Sequence, residues 1–157
     1  MKYQLIIFST FEDFKFRLKE DLEFQLPSNF GKWYLEEPSG EKVAIVENNK
    51  LIVKEGYMWD GSTVVGKYYE DIKTLEASLL HDVLYNAKKN PDGIEVSFSL
   101  FKVDKVFRDY LKELYKDSDN WFLRNWFADF YYWGLITIGI PWKFGNNNFY
   151  RLKNLGN

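Results

Sequence analysis

The chain has 157 residues, 46% hydrophobic and 28% charged, which is typical of one globular domain and excludes a disordered or fibrous chain. Its 21 Lys and Arg against 23 Asp and Glu give a net charge of −2, so we expect no nucleic-acid partner. It contains no cysteine, which excludes disulfides, thiol catalysis and cysteine-ligated zinc. Aromatic residues make up 20% of the chain, and this predicts a heavily aromatic core with some surface for assembly.

The N-terminal part, residues 1–59, is predicted to be mainly antiparallel β-sheet. Residues 14–26 alternate between apolar and polar side chains, the period-two pattern of a half-buried strand, and Pro27 ends this strand. Further strands are predicted at 32–37, 43–46 and 51–53, the last two joined as a hairpin by the polar turn 47–50. The short apolar stretch at the N-terminus lacks a small-residue cleavage site, so we expect no secretion signal.

Residues 71–140 are predicted to be mainly helical. Apolar residues recur at helical spacing over a first helix near 72–89, with Asp71 as its N-cap and Asn90 to Gly93 as the turn that ends it. A second helix begins after Ser97 and ends before residue 117, with its apolar residues on one stripe. We expect these two helices to pack antiparallel.

A third helix is predicted from Trp121 to about Ile138, where the chain is apolar almost all round. The uncharged run 130–142 is shorter than the roughly 20 residues that span a bilayer, so we expect no transmembrane span. Three alternatives remain for this helix, namely a place in the core, a surface for a partner or a second copy, and contact with a membrane surface. Residues 141–157 form a tail. The chain is thus a single α+β domain over 1–157, with a helical hairpin and a third apolar helix after the sheet.

The first helix carries the one histidine of the chain, His81. Tyr85 lies one helical turn further on the same face, and the small residues Ala77 and Ser78 on the turn before leave room beside the imidazole. Asp82 points about 100° away from His81, to a side where a carboxylate can bind a metal ion or hold a loop. One helical turn therefore offers both a base and a cation ligand.

Asp104 interrupts the apolar stripe of the second helix. A carboxylate that faces a core is costly unless a donor pairs with it. His81 and Asp104 are nearly symmetric about the loop between the two helices, so an antiparallel pair brings them level. Asp104 then accepts one ring N–H and fixes the tautomer, while the other ring nitrogen acts as a base on water. The alternative is a core histidine that is merely satisfied by Asp104, with Tyr85 as a packing ring.

Two further groups of polar residues are assigned from the sequence. Asp60 and Gly61, in the loop before the first helix, can give oxygen ligands to calcium with Asp82 completing the site, although an Asp-Gly pair is also an ordinary turn. The charged pairs 36–37 and 88–89 are predicted to be solvated surface. The sequence has no phosphate-binding glycine loop and no nucleophile elbow or zinc-protease motif.

Three motifs in order resemble an uncharacterised family of tailed-phage and prophage proteins. They are Trp-Asp-Gly-Ser at 59–62, Ala-Ser-Leu-Leu-His-Asp-Val-Leu-Tyr at 77–85 and Val-Asp-Lys-Val-Phe at 103–107, followed by a helix rich in Trp and Tyr. The resemblance covers roughly residues 40–145. It implies a phage or prophage origin, with the host cytoplasm or the virion as location and phage structural proteins as partners, but it implies no activity.

The spacing His81-Asp82-x-x-Tyr85 followed by Asp104 is also similar to secreted phospholipases A2 and to the cysteine-free phospholipase domain of parvovirus capsids. This resemblance implies that His81 activates water, that Asp82 binds calcium, and that Tyr85 and Asp104 support the histidine. It also implies a lipid or envelope ester as substrate. The glycine-rich calcium loop of those enzymes is reduced here to Asp60-Gly61.

Two functions follow from these patterns as hypotheses. The first is a metal-assisted ester hydrolase of phage or prophage origin, with His81, Asp104 and Tyr85 as its catalytic group and calcium held by Asp82, Asp60 and Gly61. The second is a non-enzymatic virion or assembly protein of the neck or tail, in which the same residues form a polar staple, that is, a hydrogen-bonded pair joining two helices. A small inhibitor of a host defence enzyme is a third alternative.

Overall fold

The computed structural model describes residues 16–59, 72–86 and 88–116, together with 3–5, 125–126, 128–130 and 132–133; at 3–5 and 72–73 it describes the backbone alone. Its class is α+β, as predicted, with antiparallel strands first and helices after them. The helices are α1 (Ile72–Tyr85) and α2 (Leu100–Leu114), and we call the helical residues 125–126, 128–130 and 132–133 α3.

The strands of the described residues form two antiparallel sheets. A three-stranded sheet has the order β1-β2-β7 and a six-stranded sheet the order β3-β6-β5-β4-β8-β9. Their bounds are β1 (Tyr3–Leu5), β2 (Phe16–Leu18), β3 (Leu22–Gln25), β4 (Trp33–Glu36), β5 (Lys42–Glu47), β6 (Lys50–Val53), β7 (Met58–Trp59), β8 (Lys88–Lys89) and β9 (Glu95–Val96). The predicted hairpin is confirmed as β5 and β6, and its turn residues Asn48 and Asn49 take positive φ angles of 50° and 61°.

The prediction of one continuous strand over 14–26 is wrong in its described part. The chain bends at residues 19–21, so that β2 belongs to the first sheet and β3 to the second. Asp21 holds this bend, because its carboxylate accepts the backbone N–H of Glu55 at 2.9 Å and the ammonium group of Lys54 at 2.7 Å. The bend residues are exposed, and Glu20 stands where the alternation would place an apolar side chain, but one polar residue does not by itself reveal a change of sheet.

The first helix ends earlier than predicted, at Tyr85. Lys88 and Lys89 form β8, which pairs with β4 and with β9, and the turn at Asn90 closes this hairpin instead of ending a helix. Lys89 is exposed as predicted, but the prediction of solvated surface is wrong for Lys88, which is only 1% exposed. Its ammonium group donates to the carbonyl oxygens of Leu84 and Asn86, so it satisfies carbonyl groups at the C-terminal end of α1.

The predicted antiparallel packing of α1 and α2 is confirmed. Thr74 near the start of α1 contacts Tyr115 just past the end of α2, with 3.3 Å between their hydroxyl oxygens. His81, nearer the end of α1, contacts Asp104 near the start of α2. The second helix starts close to its predicted position, and Ser99 is its N-cap.

The core lies between the sheets and the two helices. One buried cluster joins strand residues such as Trp33, Val46 and Trp59 to Leu79 and Leu80 of α1. The indole N–H of Trp59 donates to the Ser78 hydroxyl at 3.1 Å, and this buried bond ties β7 to α1. A smaller cluster joins Ala77, Phe107, Leu111 and Ala128, and it brings α3 onto the helical hairpin.

The described residues of α3 divide between two environments. Ala128 is buried, whereas the rings of Trp126, Phe130 and Trp133 are exposed. The interpretation of this segment as a core helix therefore holds only for one side of its described part. None of the helices in the described ranges combines the length and the apolar character needed to cross a membrane.

Candidate functional site

The predicted meeting of His81 and Asp104 is confirmed. His81 Nε2 lies 2.9 Å from Asp104 Oδ1. Because an ionised carboxylate only accepts hydrogen bonds, Nε2 carries the proton and donates it to Asp104. The two residues are 23 positions apart in sequence and are brought together by the antiparallel pairing of α1 and α2.

Burial differs between the two partners. The Asp104 side chain is 3% exposed and the His81 side chain 13% exposed. A buried carboxylate without a donor destabilises a fold, so the imidazole N–H is the group that makes Asp104 tolerable on the apolar stripe of α2. The His81 side chain therefore keeps some contact with solvent, whereas Asp104 has almost none.

The second ring nitrogen faces another carboxylate. His81 Nδ1 lies 3.7 Å from Asp82 Oδ1, beyond hydrogen-bond distance but within the range of ion pairs. Burial by itself lowers the pKa of His81, but the hydrogen bond to Asp104 and the negative charges of Asp104 and Asp82 outweigh it and raise the pKa from 6.5 to about 9. The imidazole is therefore mainly protonated at neutral pH.

Two aromatic rings flank the imidazole. The Tyr85 ring lies 4.9 Å from the His81 ring, centroid to centroid, at an interplanar angle of 35°. The Phe107 ring lies at 5.4 Å and 67°. Burial, with a smaller contribution from the charge of Asp104, raises the pKa of the Tyr85 hydroxyl to about 12, so Tyr85 stays neutral. The predicted placement of Tyr85 beside His81 is thus observed.

The predicted calcium ligands are only partly described. Asp82 lies beside His81 with a half-buried side chain, while Asp60 and Gly61 lie outside the described residues. Within the described ranges no three His, Asp or Glu side chains are grouped so that they hold a metal ion. Calcium needs six to eight oxygen ligands, and Asp82 alone does not fit it. The calcium site stays a prediction.

Phe107 is the site residue to which the sequence assigns no role. It lies on the apolar stripe of α2, one turn after Asp104, and this spacing places it on the same face as the carboxylate that meets His81. The spacing is therefore a signal for contact with the imidazole, but it is equally typical of any core position on that stripe.

Comparison of the chain with models of protein families, with curated proteins and with solved structures finds no significant match. The function is therefore inferred from the geometry of the His81 site.

Proposed function

We propose that the protein is a hydrolase of phage or prophage origin that uses His81 to activate water against an ester. The observation that carries this proposal is the 2.9 Å hydrogen bond from His81 Nε2 to the buried Asp104 carboxylate, made by a histidine side chain that is not fully buried. An imidazole oriented by a carboxylate is a general arrangement for proton transfer to and from a reacting water. The substrates to test first are lipid and envelope esters.

The proposed reaction uses neutral His81. Asp104 holds the Nε2–H tautomer, so Nδ1 has a free lone pair and removes a proton from water as the water oxygen attacks the ester carbonyl carbon. The imidazolium then returns that proton to the alkoxide as the bond to the leaving group breaks. The products are a carboxylic acid and an alcohol, and the histidine ends in its starting state.

The raised pKa determines when this base is available. With a pKa of about 9, only about 1% of His81 is neutral at pH 7. Because the rate of general-base catalysis follows the neutral fraction, turnover increases about tenfold per pH unit between pH 6 and 8 and levels off near pH 9. This profile is a signature of the base in its two-carboxylate environment.

The test measures hydrolysis of a short-chain ester and of phospholipid vesicles from pH 6 to 10. The wild type should show the alkaline profile, His81→Gln should abolish turnover, and Asp104→Asn should move the rise of the profile to lower pH, because loss of the carboxylate charge lowers the pKa of His81. Glu113→Gln is the matched control, since Glu113 is an exposed acid of α2 that pairs with Lys116. Turnover that survives in His81→Gln, or a wild type without turnover at any of these pH values, contradicts the proposal.

A second function is favoured by a different observation. Both nitrogens of His81 lie near carboxylates, at 2.9 Å and 3.7 Å, which is the environment of a permanent cation that joins α1 to α2. In this alternative the protein is a non-enzymatic virion or assembly component, and the pair is a polar staple. It predicts phage particles that contain the protein in fixed copy number, no ester turnover, and His81→Gln particles with lowered thermal stability.

A further inference from the structure

The two aromatic rings that flank the His81 imidazole, those of Tyr85 and Phe107, differ in their exposure to solvent. Tyr85 is 39% exposed, whereas Phe107 is 3% exposed. A side chain at the surface is free to change rotamer, while a buried ring is fixed by its neighbours. Of the two rings, that of Phe107 is therefore the one that can hold the imidazole in one orientation.

The neighbours of Phe107 come from three helices. Its cluster contains Ala77 from α1, Leu111 from α2 and Ala128 from α3, all with 1% exposure or less. Ala77 lies one turn before His81 in α1 and has only a methyl group, so there is room for a phenyl ring beside the imidazole.

Ionic contacts hold α3 over this cluster. The carboxylate of Asp129, next to Ala128, lies 2.5 Å from Arg108 Nε and 2.9 Å from Lys112 Nζ, and both cations belong to α2. The guanidinium carbon of Arg108 also lies 5.2 Å from the centroid of the Tyr132 ring of α3. Arg108 directly follows Phe107, so these contacts fix the turn of α2 that carries the phenyl ring.

We propose that Phe107 is a positioning residue for His81, and that α3, held by Asp129, keeps Phe107 in place. The inference deepens the proposed hydrolase and rests on it. A half-turn of the imidazole about its Cβ–Cγ bond replaces Nε2 by a carbon atom at Asp104 and so removes the hydrogen bond. The buried phenyl ring opposes this rotation, because an imidazole that turns must sweep through the space that Phe107 fills.

The experiment uses the full chain with 15N-labelled histidine, in which His81 gives the one imidazole signal. The quantity measured is the rate at which the Nε2 proton exchanges with water. Phe107→Leu should increase this rate roughly tenfold, since the ring then leaves Asp104 more often. Phe24→Leu is the matched control, because Phe24 is also a buried ring but contacts Tyr110 instead, at 5.5 Å between centroids. A general loss of stability accelerates exchange in both variants, and equal rates therefore overturn the inference.

Asp129→Asn tests the role of α3 without a change in the core. It also replaces Phe107→Leu as the test variant if Phe107→Leu does not fold. Exchange should accelerate in Asp129→Asn and not in Glu113→Gln, which removes an exposed acidic charge of α2 that pairs with Lys116. Ester turnover is measured on the same samples, with kcat expected to fall in Phe107→Leu while KM stays constant. Faster exchange with no wild-type turnover refutes the hydrolase alone, whereas wild-type turnover with unchanged exchange in both variants refutes the role of Phe107 alone.

Discussion

Lys88 Nζ lies 2.6 Å from the carbonyl oxygen of Leu84, the residue four positions earlier in the chain, and this contact is buried. The ammonium group also lies 5.1 Å from the centroid of the Phe98 ring and 5.5 Å from that of Trp33. The cation thus joins the C-terminal end of α1, where the helix dipole is negative, to the aromatic side of the sheet. A lysine that would ordinarily be solvated becomes the link between the helix and β8.

Lys88→Met should lower the free energy of unfolding by about 1–3 kcal/mol, because methionine fills the space but leaves the carbonyl groups of Leu84 and Asn86 without this donor. The measurement is urea unfolding at pH 7. Lys89→Met is the control, since Lys89 is exposed and pairs with Glu36 at the surface, and it should have a much smaller effect. Unchanged or increased stability of Lys88→Met would mean that the cost of burying the charge exceeds the gain from its hydrogen bonds.

The sequence predicts the parts of this fold in which one local pattern is uninterrupted. The hairpin of β5 and β6 has an uninterrupted apolar run on each side of a polar turn, and α2 has an N-cap serine before a regular apolar stripe. The pairing of His81 with Asp104 is predicted as well, because symmetry about the loop depends only on residue numbers and on helix length.

The errors arise where a tertiary contact overrides the local pattern. The bend at residues 19–21 depends on Asp21 reaching Lys54 and Glu55, which are more than thirty positions away. The end of α1 depends on Lys88 turning back to carbonyl groups of the helix. Lysine is almost never fully buried, so composition alone assigns it to the surface. The role of Phe107 is not apparent in the sequence for a related reason, because its position on the stripe is that of an ordinary core residue.

Asp104→Asn should lower the pKa of His81 by about one to three units. The hydrogen bond to Asp104 is the largest of the contributions that raise this pKa, and asparagine keeps the shape but removes the charge. The measurement is an NMR titration of the imidazole, which is unambiguous because the chain has one histidine. Asp109→Asn, at an exposed ion pair with Lys105, is the control and should leave the titration unchanged. An unaltered pKa in Asp104→Asn would refute the assignment of Asp104 as the main partner.

The predicted calcium site is tested by calorimetric titration of the wild type with calcium chloride. If Asp60 and Gly61 join Asp82 as predicted, one ion should bind per chain, and Asp82→Asn should weaken that binding at least tenfold, since the ion then loses a charged oxygen ligand. Asp92→Asn, in an exposed turn, is the control. Equal heats of calcium binding for the wild type and Asp82→Asn would mean that Asp82 is not a calcium ligand. Its carboxylate would then be only a neighbour of His81.

Stability should decrease as the pH rises from neutral to alkaline. The pKa of His81 is raised in the folded chain to about 9, so the folded state binds the proton more tightly than the unfolded state, whose histidine has an ordinary pKa of 6.5. The resulting stabilisation is fully present below pH 6.5 and is lost as the pH rises through 9. Because each pKa unit corresponds to about 1.4 kcal/mol, the rise from 6.5 to about 9 amounts to roughly 3 kcal/mol.

Urea unfolding at pH 6 and at pH 9.5 measures this difference. His81→Gln keeps a hydrogen-bond donor near Asp104 but does not titrate, so most of the pH dependence over this range should disappear in that variant. Its stability at pH 6 should fall toward the value that the wild type has at pH 9.5. A wild type that is equally stable at both pH values would mean that the two carboxylates do not hold the imidazole as a cation, and it would favour a neutral His81 that is available as a base at pH 7.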